Sequence, residues 1–329
     1  MLILKIRSTN KFYIENILTV KVKIIRNIDK LPVFVNPVVT IGSFDGVHCG
    51  HKAIIERIIT IAKKINGNSV AITFSPHPQA VLCNHKKKLY IINTTEEKIK
   101  LFEPLGIDYL IIIPFTKEFS KIPYDKFIKD YLVDKIKVAT LVIGYDHHFG
   151  NNREGSISHL KYLSEKYSFN IEEVSAQYIN EEAVSSTKIR NALLAGEIAK
   201  ANKYLGYFYS ITGKVVKGNG LGRTLNFPTA NIEVNETDKL IPADGVYAVK
   251  VIVDNTVYNG MLNTGIRPTI GGTKRVNEVN IFNFSGEIYN SNITILFMER
   301  LRNEIYFPDI NKLKEQLILD KEAALKILL

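Results

Sequence analysis

The chain has 329 residues, 46% hydrophobic and 23% charged, with a formal net charge of +10 and two cysteines. This length suits about two domains with separate cores, and the composition excludes a disordered chain, a disulfide-stapled mini-protein and, with no apolar run near the roughly 18 residues of a membrane span, a membrane partner. The positive charge would suit a polyanion, but the lysines are scattered, the only tight basic run is "HKKKL" (85–89), and no nucleic-acid partner is expected.

The first twenty residues lack the basic, apolar, small order of a signal peptide, and a cytoplasmic location follows as the expectation. From Lys21 onward strand-like and helix-like segments alternate. "PVVTIG" (37–42), "SVAITF" (69–74), "YLIIIPF" (109–115), "ATLVIG" (139–144) and "NIEEVS" (170–175) read as strands. "HKAIIERIITIAKKI" (51–65), "EEKIKLFEPLG" (96–106, interrupted at Pro104) and "STKIRNALLAGEIAKANKYLG" (186–206) have helical spacing. Apolar strands separated by helices predict a parallel α/β sheet with both faces covered. After Leu205 short alternating strands follow one another, with hairpin turns expected at Asp254-Asn255 and Ser285-Gly286. A final helix, capped by Asp309, closes the chain. That half reads as a small antiparallel barrel. The expected domains are 21–200 and 207–329, with 1–20 an unassigned extension.

"TIGSFDGVHCGH" (40–51) carries a strand into a helix at the carboxyl edge of the expected sheet, where such folds bind ligands. A helix N-terminus offers unpaired N–H groups and positive partial charge to phosphate. Gly50 removes a side chain where phosphate must come close. His48 and His51, three apart, can face one ligand and donate hydrogen bonds to a triphosphate. Taken singly, each reads first as a packed or capping residue. His48, Cys49, His51, Cys83 and His85 have zinc-binding chemistry, but their spacing fits no regular site.

"GSFDGVHCGH" resembles the HxGH signature of the nucleotidylyltransferase superfamily. In its longer form it is similar to the adenylyltransferase module of the bacterial bifunctional riboflavin kinase/FAD synthetase family. "TFSPHP" (73–78), "GYDHHFG" (144–150) and "VSSTKIR" (184–190) match further segments of that module in order. The resemblance implies a Rossmann-like domain that joins FMN to the adenylyl group of ATP, releasing pyrophosphate, with Mg²⁺ on the phosphates. It implies nucleotide contacts from Gly42, Phe44, Asp45, Gly50, Ser186, Thr187 and Arg190. It places His77 and Asp146 near the flavin nucleotide, and His48 and His51 at the reaction.

The second half has "GKVVKGNGLGRTLNFPTANI" (213–232), a glycine-rich loop followed by oxygen-bearing Thr229 and Asn231 on alternate positions, a pairing that suits a hard cation. With "PADGVYAV", "NTGIRPTIGG", "NEVNIFNF" and the tail 297–320 it is similar to the same family's riboflavin kinase module, a six-stranded barrel with a closing helix. That resemblance implies phosphate held by Gly218, Gly220 and Gly222, Mg²⁺ by Thr229 and Asn231, Glu278 as the base for the riboflavin hydroxyl, and Arg302 at the flavin. Asn280 stands where that family usually has histidine, and Asn226 where it often has glycine. The expected activity is therefore bifunctional, with ATP, riboflavin and FMN as small-molecule substrates and room for weak self-association. The alternative expectation is an FMN adenylyltransferase whose barrel binds flavin without phosphorylating it.

Overall fold

The computed structural model describes residues 22–82, 89–145, 157–179, 182–218, 220–269 and 272–329. It divides into two compact units, one ending at Ser186 and the other running from Thr187 to Leu329.

The first unit is built on six strands: β1 (Lys23–Ile25), β2 (Val38–Ile41), β3 (Ser69–Ser75), β4 (Tyr109–Pro114), β5 (Thr140–Gly144) and β6 (Asn170–Val174). They lie in the order β1-β4-β3-β2-β5-β6, every neighbouring pair parallel. Alternation along each strand feeds two cores. Val39, Ile41, Val70, Ile72, Ile111 and Leu141 enter one. Val38, Ala71, Leu110, Ile112 and Val142 enter the other. This two-sided burial is why the strands read as continuous apolar runs. Helix α1 (Cys49–Lys64) covers one face with Ile55, Ile58 and Ala62. The other face is covered through Phe127, Leu132, Leu160 and Leu163 from segments Tyr124–Ile136 and Ile157–Tyr167. The chain steps from β2 to β3 to β4 one way and from β5 to β6 the other. The order reverses between β2 and β5, and a crevice at the strand carboxyl ends follows from that reversal.

Helix α2 (Thr95–Phe102) starts with a capping box between Thr94 and Glu97 and gives way to a 3₁₀ turn containing Pro104, as the break in its pattern predicts. The long helical pattern over 186–206 is instead two helices, α3 (Ser186–Ala195) and Ile198–Leu205. Gly196 between them takes a left-handed φ of 76° and terminates the first.

The second unit holds β7 (Ser210–Val216), β8 (Ala230–Glu233), β9 (Gly245–Val253), β10 (Thr256–Thr269), β11 (Gly272–Ile281) and β12 (Asn292–Arg302). They form a closed barrel in the order β8-β11-β10-β9-β12-β7, all pairs antiparallel. Tyr209, Tyr247, Val249, Leu262, Val279 and Phe297 are wholly buried in it. Helix α4 (Ile310–Leu328) packs Ala324 and Leu328 against Ala248, Met261 and Phe282. Its N-cap is Asp309, whose Oδ1 accepts the Asn311 N–H at 2.8 Å. Asp254 and Asn255 take φ of 46° and 64° and join β9 to β10 in a two-residue hairpin, as their residue types predict. Ser285-Gly286 is not such a turn. It lies in the connection 282–291, because β11 pairs with β8 and β10 while β12 pairs with β9 and β7.

Candidate active sites

In the first unit β2 ends at Ile41, and the Gly42 N–H donates to the Ile72 carbonyl at 3.0 Å. The chain then makes a tight turn with φ of 46° at Phe44, 93° at Gly46 and 34° at Val47. A β-branched residue at positive φ is a genuine outlier, and such strain concentrates at ligand sites. Each such residue costs about 1–3 kcal/mol. The Phe44 ring offsets about 2–3 kcal/mol by burial. It is 2% exposed and meets Phe102 and His51 edge-on at 5.5 and 5.2 Å.

His48 is the N-cap of α1, its Nδ1 accepting the His51 N–H at 3.4 Å. The two imidazoles stack at 3.6 Å between centroids, 17° from parallel. Gly50 lies close under the stack, since a Cβ there would sit 3.2 Å from the His48 ring and press on it. His51 Nδ1 is enclosed without a hydrogen-bond partner. Burial first, then His48 and Lys98, hold the His51 imidazolium well below the usual histidine range, so the ring is neutral near pH 7.

Asp45 is 1% exposed. Its Oδ1 accepts the N–H groups of Ile92 and Asn93 at 2.9 and 3.2 Å, and its carbonyl accepts the Ser186 hydroxyl at 2.7 Å. Asp45 and Ser186, 141 residues apart, thus meet as structural partners of the turn. Thr187 and Arg190 follow on α3, Thr187 exposed and Arg190 half-buried. His77 lies just past β3, and its Nδ1 accepts the Gln79 N–H at 3.2 Å. Asp146, Cys83 and His85 lie outside the described residues. Among the described residues no cluster of three or more His, Cys, Asp or Glu is placed to hold a metal ion.

Beneath the turn is a residue that the motifs do not mark. Lys98 of α2 is 5% exposed and donates from Nζ to the Ser43 carbonyl at 2.6 Å and to Thr73 Oγ1 at 3.2 Å. Burial pushes its pKa down to about 8, with Asp45 opposing. The sequence does hold a signal for it: Lys98 occupies the same buried helical stripe as Ile99 and Phe102.

In the second unit a cavity of about 420 Å³ opens between one face of the barrel, α4 and residues 304–307. Gly220, Gly222, Thr229, Met261, Asn263, Glu278, Asn280 and Arg302 all line it. The ladders explain the grouping. Glu278 on β11 is in register with Asn231 on β8 and with Asn263 on β10. The glycine loop approaches these strands closely. A Cβ on Gly218 would fall 1.9 Å from Asn231 Nδ2, and one on Gly222 would fall 2.3 Å from the Phe227 carbonyl and 3.2 Å from Thr229 Oγ1. Gly220 takes a φ of 73°.

Both departures from the expected pattern have a local reason. Asn226 sits at a φ of 64°, a left-handed conformation that asparagine tolerates nearly as glycine does. Asn280 is 7% exposed and donates from Nδ2 to the Pro228 carbonyl at 2.7 Å, fixing the backbone that leads into Thr229. Arg302 forms a fork with Asp320 of α4, Nε to Oδ1 at 2.8 Å and Nη2 to Oδ2 at 2.7 Å. Asp320 is 3% exposed and was not marked by the sequence.

Comparison with known proteins covers both units. The family model described as FAD synthetase matches residues 33–188, and that described as riboflavin kinase matches 205–328. A bifunctional riboflavin kinase/FMN adenylyltransferase from Buchnera aphidicola is 40% identical over 92% of this chain and 98% of its own. Those of Listeria monocytogenes and Escherichia coli are 37% and 33% identical, over 88% and 87% of this chain and 91% of each relative. Among solved structures, the crystal structure of a macrolide-efflux protein from Streptococcus pneumoniae is 29% identical, covers 93% of this chain and 99% of its own, and superposes with a TM-score of 0.84. No helix among the described residues here is long and apolar enough to cross a membrane.

Proposed function

The chain belongs to the bifunctional riboflavin kinase/FMN adenylyltransferase family, and from that premise we propose which of its residues carry each reaction. It phosphorylates riboflavin to FMN with ATP, and it joins FMN to the adenylyl group of ATP, giving FAD and pyrophosphate.

Adenylyl transfer is assigned to the first unit. An FMN phosphate oxygen attacks the α-phosphorus of ATP, the bond to the β-phosphate breaks, and pyrophosphate leaves with the electron pair. No protein nucleophile is needed, so the protein's work is alignment and charge stabilisation. With its Nδ1 turned to the helix backbone, His48 presents Nε2–H to a phosphate. Neutral His51 supplies a second ring donor from the same stack. Gly42, Phe44 and Asp45 shape the turn, Gly50 leaves room for phosphate, and Ser186 stands at the turn by its bond to the Asp45 carbonyl, with His77 toward the flavin nucleotide. The observation that carries this assignment is the stacked histidine pair at a helix N-terminus beside the point where strand order reverses.

Riboflavin phosphorylation is assigned to the cavity of the second unit. Glu278 takes the proton of the riboflavin 5′-hydroxyl as that oxygen attacks the γ-phosphorus of ATP and ADP leaves. Backbone N–H groups of Gly218, Gly220 and Gly222 cradle phosphate. Thr229 and Asn231 are neutral oxygen donors set against that loop, a sparse set that fits Mg²⁺ carried largely by the phosphates. When bound, the ion would neutralise charge on the transferred group. Arg302, tied to Asp320, borders the flavin side. The reading in which the barrel only binds flavin rested on Asn280. The riboflavin kinase model matches across that residue, and its amide keeps a hydrogen bond beside Thr229.

Purified chain given riboflavin, ATP and Mg²⁺ should yield FMN and then FAD on reversed-phase chromatography. FMN without FAD would remove the first assignment, and FAD formed only from added FMN would remove the second.

A further inference from the structure

The buried cation beneath the phosphate-facing turn has no part in the assignments above. We infer that Lys98 is a positioning residue for adenylyl transfer: its protonated ammonium pins the Ser43 carbonyl and so fixes the shape of the Gly42–Gly46 turn on which the nucleotide rests. This rests on the reading of the first unit as the adenylyl-transfer site.

The geometry is specific. Lys98 Nζ reaches the Ser43 carbonyl at 2.6 Å and Thr73 Oγ1 at 3.2 Å, and Thr73 Oγ1 itself donates to the same carbonyl at 3.1 Å. Thr73 is fully buried on β3 and Lys98 is 5% exposed. Ser43 lies between Gly42 and the left-handed Phe44. The contact therefore acts where the backbone is most strained. Deprotonated, the amine is a far weaker clamp, since hydrogen bonds from charged donors are roughly twice as strong as neutral ones. The titratable groups facing it are the Asp45 carboxylate on the turn and the neutral His51 ring on α1, against which His48 stacks. Burial brings its titration to about 8, inside the working range of an enzyme. His51 titrates on the opposite, acid side of neutrality. A clamp lost as pH rises through the lysine's pKa gives the reaction an alkaline limb.

The test is the pH profile of kcat/KM for FAD formation from FMN, with riboflavin phosphorylation by the same preparation as the check that the protein is intact. Wild type should lose rate above about pH 8, close to tenfold per pH unit. Lys98→Met should be about 30-fold slower at pH 7 and show no such limb. Thr73→Val, which removes one acceptor of the ammonium and keeps the shape, should move the limb to lower pH. That arm decides the question alone if Lys98→Met does not fold. A limb unchanged in Lys98→Met or Thr73→Val, or Lys98→Met within threefold of wild type at pH 7, would overturn the role of Lys98. A wild type that phosphorylates riboflavin but makes no FAD at any pH would overturn the adenylyl-transfer reading instead, and this inference with it.

Discussion

Glu278 on β11 stands in register between Asn231 on β8 and Asn263 on β10, and Glu278 and Asn263 both line the cavity. If the Glu278 carboxylate is the base, Glu278→Gln keeps the shape and removes the proton acceptor. Riboflavin phosphorylation should fall by about 100-fold or more, the usual contribution of general base catalysis. FAD formation from added FMN should persist. His51→Ala should do the reverse, losing FAD formation by about 100-fold while FMN still accumulates. Both are read from one chromatogram per variant, and either variant losing both activities would refute the assignment of the reactions to separate units.

Gly222 is the most confined position of the glycine loop that faces backbone. Its Cβ would lie 2.3 Å from the Phe227 carbonyl, whereas nothing lies within 4 Å of one on Gly220. Gly222→Ala must therefore displace the chain leading to Thr229. KM for ATP in the kinase reaction should rise about tenfold or more, and FAD formation from FMN should not change. Gly220→Asn, which keeps a residue tolerant of φ near 73°, should be far milder. Equal damage from the two would show that the loop does not hold phosphate through its backbone.

Asn280 holds the Pro228 carbonyl from a buried position. Asn280→Ala leaves that carbonyl without its donor and should cost about 1 kcal/mol of stability. Asn280→Asp sets an acceptor against an acceptor and should cost more. Phosphorylation should fall with stability in that order, measured by urea unfolding beside the kinase assay. Asn280→Ala with wild-type stability and rate would mean that the contact positions nothing.

The lowered His51 pKa makes stability depend on pH in a definite direction. The unfolded chain binds a proton near 6.5 and the folded ring does not. The contribution is thus fully present above 6.5 and lost as pH falls through the folded value. The Lys98 titration lies between about 8 and 10.5 and leaves that window untouched. Urea midpoints should fall from pH 6.5 downward, less steeply in His51→Gln. Ring-proton NMR should show one histidine still neutral well below pH 6.5. A wild-type spectrum in which every imidazole titrates near 6.5 would contradict the burial argument.

What the sequence announces and what it hides divide along physical lines. The strands of the first unit are legible because both faces are buried, so Val38–Ile41 and Tyr109–Pro114 are apolar without interruption. The Asp254-Asn255 hairpin is legible because left-handed turns restrict residue type. Ser285-Gly286 misleads because local turn chemistry does not say which strands will pair. The break at Gly196 is hidden because apolar spacing continues on both sides of it. At the site, the histidines stand in a motif, but the inward turn of Asp45 and the role of Lys98 arise only when α2 packs beneath the turn. The place of Lys98 in the apolar stripe of Ile99 and Phe102 is a signal of burial, but its two acceptors, far away in the chain, cannot be read from it.

Closure of the barrel carries a consequence for how securely the cavity face is held. In an open sheet an edge strand can slide against its single neighbour, and a slip of one residue exchanges the two faces. Here β11 is gripped from both sides, by β8 and by β10, and the ring is completed through β7, β12 and β9. A slip there would send Val279 outward and Glu278 into the apolar interior, and it would break two ladders at once. The fold thus behaves as a ratchet with one stable tooth, and the Glu278 carboxylate keeps its heading toward the cavity.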